Sequence, residues 1–182
     1  MVRLHEILHE DWIVHGRTWT NPGFHAVALH RIGRWARKLP FPIRPMLRAF
    51  HHVCYVLVRN VYGIELPVST ELGRRVKISH QSGIVVSGEA IIGDECHLRQ
   101  NTTIGAIGSR RPSQGRRKPT LGRGVYVGAG AVIVGGITIG DGARIGANAT
   151  VMADVPAGAT AYAQPARIMN PGLSAPDPLR GE

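Results

Sequence analysis

The stretch LGRGVYVGAGAVIVGGITIGDGARIGANATV, residues 121–151, decides the fold. In it an aliphatic side chain returns at every sixth position, at Leu121, Val127, Ile133, Ile139, Ile145 and Val151. Upstream, Leu72, Ile78, Val86, Ile92, Leu98 and Ile104 keep the same step, with an eight-residue step from Ile78 to Val86 and a longer break from Ile104 to Leu121. Many of these residues are followed by glycine, as at Gly73, Gly93, Gly122, Gly128, Gly140 and Gly146. The fourth residue on is small or β-branched at Ala90, Cys96, Thr102, Val125, Ala131, Ile137, Ala143, Ala149 and Val155. A step of six is a multiple of the strand period and not of the helical period of about 3.6, so the stripe stays on one side of an extended chain and would smear around a helix. Glycine after the aliphatic residue permits a tight corner. The pattern predicts a triangular solenoid of about four coils, three hexads to a coil, with the aliphatic side chains stacked inside and short parallel strands as walls. Cys96 takes a small interior position in this scheme.

Two helices are expected before the repeats. One starts at Asn21-Pro22 and stops before Pro40, on the spacing of Phe24, Val27, Ala28, Ile32, Trp35 and Ala36; the other runs from about Pro45 to Tyr62 and ends at Gly63. The chain then divides into a helical region 1–65, a β-helical domain 66–168 with a basic loop 106–120, and an irregular tail 169–182. A length of 182 residues suits one compact domain with an appendage. Hydrophobic residues at 43% exclude a disordered chain, and 23 glycines exclude a helical bundle. Residues 1–14 lack the apolar core of a secretory signal, and the most apolar helical stretch, 49–58, is short and broken by His51 and His52. A cytoplasmic protein without a transmembrane segment is therefore expected.

Lys and Arg number 22 against 12 Asp and Glu, a net charge of +10, which suits an anionic partner. The charge gathers at Arg110, Arg111, Arg116, Arg117 and Lys118 and at five arginines between Arg31 and Arg48. No aromatic residues interleave with them to stack bases, so nucleic acid is not expected. Cys54 and Cys96 match no zinc spacing. His5-Glu6-Ile7-Leu8-His9 formally fits the H-E-x-x-H zinc pattern, but no cleft-forming domain follows it, and no metal is expected.

Three stretches resemble the hexapeptide-repeat acyltransferases and, within them, the serine O-acetyltransferase family. These are Gly23-Phe24-His25-Ala26 running to Arg31-Ile32-Gly33, His80-Gln81-Ser82-Gly83-Ile84-Val85-Val86, and Gly128 to Asn148 with the closure from Asp154-Val155-Pro156 to Pro165-Ala166-Arg167. The resemblance implies a left-handed parallel β-helix, a homotrimer, and acetyl-CoA as co-substrate lying between coils of neighbouring subunits. It implies that His80 is the general base, on the turn lengthened by the eight-residue step. Gly105, Ala129, Arg144 and Ala147 match the acetyl-CoA groove, where small residues admit the pantetheine and a cation meets phosphate. These types suit the chemistry: a hydroxyl attacks a thioester once a base with a pKa near working pH takes its proton, and the tetrahedral oxyanion needs a donor. His25, His30, His51, His52 and His97 read as surface or packing residues.

The chain also departs from the family pattern. Ser79 stands where an acid normally precedes the base, Gly88 stands in the place of a glutamate with Glu89 beside it, and Lys118 replaces a second active-site histidine before Pro119. Lys118 is thus a candidate for holding an oxyanion or a carboxylate, and Arg117 matches a substrate-binding arginine. Asp11, with Glu10, matches acidic N-terminal residues that reach the acceptor. The helical region is shorter than the domain that pairs trimers into hexamers in cysteine-biosynthetic enzymes. The final Gly181-Glu182 lacks the terminal isoleucine used to dock cysteine synthase, so that partner is not expected. This short form is similar to serine acetyltransferase-type proteins of exopolysaccharide synthesis. The acceptor stays open between L-serine and the hydroxyl of a sugar or nucleotide sugar, and a non-catalytic trimeric scaffold is the reading from a different class.

Overall fold

The computed structural model describes residues 3–106, 118–166 and 168. Helices α1 (Leu4–Val14), α2 (Pro22–Ala36) and α3 (Ile43–Tyr62) precede a β-solenoid. The side chain of Asn21 accepts from the N–H groups of Gly23 and Phe24 at 2.9 and 3.3 Å, and so starts α2. Gly63 ends α3 in the left-handed conformation, at φ 65°. Helix α1 is an addition to the two expected helices. Two bonds between Arg3 and Glu6 begin it: the Arg3 N–H donates to the Glu6 carboxylate at 3.0 Å and the Glu6 N–H to the Arg3 carbonyl at 3.1 Å, so the glutamate of the H-E-x-x-H string serves a structural bond.

The solenoid is a left-handed triangular prism with three parallel walls. Wall A stacks β1 (Ile64–Glu65), β4 (Ile84–Val86), β7 (Thr103–Gly105), β10 (Val132–Val134) and β13 (Thr150–Val151). Wall B stacks β2 (Glu71–Leu72), β5 (Ile91–Ile92), β8 (Thr120–Leu121) and β11 (Thr138–Ile139). Wall C stacks β3 (Lys77–Ser79), β6 (His97–Arg99), β9 (Tyr126–Val127), β12 (Arg144–Ile145) and β14 (Thr160–Ala161). Of the twelve aliphatic positions Leu72 is half-buried, and none of the others is more than 7% exposed. The nine residues four positions on are buried as well, Cys96 among them, and burial pushes its thiol up to about 11. The prism begins at Ile64, two residues before the expected boundary, because Gly63 turns α3 directly into β1.

A parallel solenoid leaves the backbone of its first coil without a preceding coil to pair with. Helix α2 and the turn before it meet that need. The Ile78 N–H donates to His15 Nε2 at 3.1 Å, and His15 Nδ1 donates to the Asp11 carbonyl at 2.6 Å. His30 and Arg34 both donate to the Thr70 carbonyl at 3.0 Å. Arg31 donates to the carbonyls of Leu72 and Gly73 and, through Nε, to Asp11 at 3.0 Å. The approach is close enough that a Cβ on Gly23 would sit 2.3 Å from the Ile78 carbonyl oxygen. Burial lowers the pKa of both histidines, His30 to about 4, so they act as neutral hydrogen-bonding rings. Among the described residues no helix is long and apolar enough to cross a membrane, and no three metal-ligating side chains gather at one place.

Candidate active site

The lengthened turn after β3 projects from the edge between walls C and A. His80 (φ 61°), Ser82 (φ 99°) and Gly83 (φ 64°) take left-handed backbone there, and His80 is exposed. The next coils register on this turn through their backbones. The Asn101 N–H donates to the Ser82 carbonyl at 2.9 Å, that of Gly130 to Gln100 at 3.0 Å, and that of Asn148 to Ala129 at 2.8 Å. His80, Ala129 and Ala147 thus come to one edge, on coils that repeat about every 4.8 Å. Gly105 lies on the adjoining wall A at the end of β7, where a Cβ would meet only two methyl groups at 4.0 Å. Among the described residues no contact requires a glycine at that position.

The outer face of wall C flanks the same edge. Lys77, His97, Tyr126, Arg144 and Thr160 form one outward column in register, with Ser79 and Arg99 beside it and no acidic side chain among them. The Arg144 guanidinium stands 4.8 Å from the Tyr126 ring centre, and Arg99 donates to the Tyr126 hydroxyl at 3.3 Å. Ser79 Oγ and His97 Nε2 are 2.6 Å apart, and the His97 ring meets Tyr126 edge-on at 5.3 Å. Desolvation, followed by the nearby cations Lys77 and Arg99, holds His97 down at about 4. The sequence reading places His97 among packing residues and misses this link. A signal existed: the hexad stacks interior Ile78 on interior Leu98 and so sets Lys77 beside His97, with Ser79 two residues on along the same outward face.

Other expected residues lie elsewhere. Lys118 approaches β8 along the edge between walls A and B, with Nζ 4.0 Å from Glu71. Arg117, with the rest of loop 107–117, and Arg167 fall outside the described residues. The expectation for Asp11 does not hold in this chain: its carboxylate is fully buried on α1 and bonded to Arg31, so it cannot meet an acceptor. Burial raises its pKa, and the Arg31 bond offsets this only in part. Glu10 is likewise engaged, by Arg74 and Arg75. A cavity of about 610 Å³ between α2, α3 and the first coil is lined by none of the expected site residues. His80 stands instead on a convex edge of the prism.

Residues 118–153 match the family described as bacterial transferase hexapeptide (six repeats). The chain is similar to a serine acetyltransferase of Synechococcus elongatus, 37% identical over 158 residues that cover 87% of this chain and 61% of that protein. It is also similar to a serine acetyltransferase of Helicobacter pylori, 37% identical over 146 residues that cover 80% of each. Among solved structures it resembles the serine acetyltransferase of Brucella abortus in complex with coenzyme A. The TM-score is 0.72 at 26% identity, over 91% of this chain and 67% of that one. This chain therefore spans only about three fifths of the cyanobacterial relative, 61% of its length.

Proposed function

Since the chain belongs to the serine acetyltransferase family, we propose that it transfers the acetyl group of acetyl-CoA to the hydroxyl of L-serine, in sites shared between the copies of a homotrimer. The observation that supports this is the registered edge itself. His80 projects from a left-handed turn, Ala129 and Ala147 continue the edge as small residues, and wall C lays a cationic face beside it. His80 takes the proton of the serine hydroxyl as its oxygen attacks the thioester carbonyl. The tetrahedral intermediate collapses with cleavage of the C–S bond, and His80 returns the proton to the departing thiolate, giving O-acetylserine and CoA. Arg144 meets a phosphate of CoA, while Gly105, Ala129 and Ala147 leave room for the pantetheine.

A convex edge cannot enclose a ligand, which is one reason to place the site between chains. Lys118 supplies another, since it stands on a different edge from His80 in its own prism. Serving the site of a neighbouring copy, it donates to the oxyanion, and Arg117, which precedes it in the sequence, takes the serine carboxylate. The test follows thiol release from acetyl-CoA with L-serine and, separately, with a panel of sugars and nucleotide sugars. Serine-dependent release is expected. Release with a sugar alone would move the activity to polysaccharide precursors, and a failure to bind acetyl-CoA would leave a scaffold.

A further inference from the structure

We infer that His97 is a positioning residue for the acetyl transfer: it accepts the Ser79 hydroxyl proton in a hydrogen bond, and Ser79 in turn accepts from the His80 ring. The inference rests on the reading of His80 as general base. Ser79 stands where an acid would otherwise orient that base, and a lone hydroxyl does this poorly because its own proton is free to point at the imidazole. The structure supplies what directs that proton. Ser79 Oγ lies 2.6 Å from His97 Nε2, across the adjacent strands β3 and β6. The edge-on contact with Tyr126 fixes the ring of His97.

The direction of the bond follows from charge and valence. Desolvation is the largest influence on the half-buried His97 and the cations Lys77 and Arg99 add positive potential there, so its ring is neutral and carries one acceptor nitrogen. A hydroxyl has one proton and two lone pairs. When Ser79 donates to His97 Nε2, its lone pairs are left to accept from the neighbouring His80 ring, and an N–H held there leaves the other ring nitrogen free to take a proton. The opposite arrangement, with His97 donating, would turn the Ser79 proton toward His80 and occupy the lone pair that the reaction needs. Ser79 and His97 together thus take the place of one carboxylate without adding a buried charge.

Steady-state kinetics with acetyl-CoA and L-serine, on the full chain and its variants, test this. Ser79→Ala, His97→Leu and His97→Asn should each lower kcat about 10- to 100-fold, as expected for losing a hydrogen bond to a group that becomes charged. Acetyl-CoA affinity by calorimetry should stay unchanged. Asparagine is included because it is polar yet too short to reach Ser79. Glutamine, whose amide oxygen reaches the position of Nε2, should restore most of the rate in His97→Gln. Combining Ser79→Ala with His97→Leu should cost no more than either alone, since both break one chain. Full kcat in His97→Asn, additive losses in the double variant, or no rescue by glutamine would overturn the role of His97 while leaving that of His80. Absence of thiol release from the unaltered chain would overturn the proposed function, and this role with it.

Discussion

His80 stands exposed at φ 61°, a backbone conformation that residues with a side chain adopt at some cost. The next coil secures it, through the bond from the Asn101 N–H to the Ser82 carbonyl. A side chain used for proton transfer and not for holding the cofactor should be removable without loss of binding. His80→Ala should therefore slow acetyl transfer by about 10²–10⁴-fold and leave acetyl-CoA affinity close to that of the unaltered chain. Thiol release and calorimetry read the two quantities, and a parallel fall in both would put His80 in the cofactor groove instead. The lengthened turn that carries His80 was legible in the sequence because the repeat breaks there, eight residues from Ile78 to Val86 against a step of six. Asp11 misled because an acid that faces an acceptor and an acid buried against an arginine look alike in a sequence. Only the packing of α1 on α2, which sets Asp11 against Arg31, tells them apart.

Helix α2 works as the lid of the solenoid, and its sequence carries both its boundaries and its purpose. Asn21-Pro22 announces its start, whereas α1 begins on an Arg3–Glu6 cap that no common N-cap residue signals. Gly23 shows how close the lid lies. In Gly23→Ala the new methyl would meet the backbone oxygen of Ile78, which has little room to move, so a loss of about 1–3 kcal/mol is expected in chemical denaturation. An unchanged midpoint would mean that α2 rides more loosely on β3 than its hydrogen bonds indicate. The lid is also acid-sensitive through His30. Burial takes its pKa from 6.5 to about 4, so on acidification the unfolded chain binds a proton that the folded chain refuses. The stability it contributes is whole above pH 6.5, declines as the pH falls toward about 4, and amounts to about 3 kcal/mol at most. Thermal unfolding at about pH 7.5 and about pH 4.5 should show a larger loss for the unaltered chain than for His30→Gln. Parallel losses would remove His30 from the account.

At the scale of the whole molecule, the repeat made the prism legible, but a sequence of one chain does not show what lies against its faces. Helix α3 has no fully buried residue, and it carries Met46, Phe50, Val53 and Leu57 at 57% exposure or more. Their spacing of four, three and four residues is that of a helix seam that packs on another helix. Contiguous apolar surface of this kind ordinarily marks an interaction site. The same molecule sets His80 and Lys118 on different edges of its prism, so the shared site proposed above requires an association of copies, for which the stripe offers apolar surface. The charge of +10 on each chain opposes such assembly over long range, and salt near 0.15 M, where the screening length is about 8 Å, removes most of that opposition. Sedimentation equilibrium at micromolar concentration should then give three chains of 19.7 kDa each. Phe50→Glu combined with Leu57→Glu should dissociate the trimer and abolish transfer while helical content by circular dichroism persists, because those side chains contact little within their own chain. A monomer with full activity would sink both the shared site and the role given to Lys118. A hexamer would keep the shared site and assign the α3 stripe to the pairing of trimers.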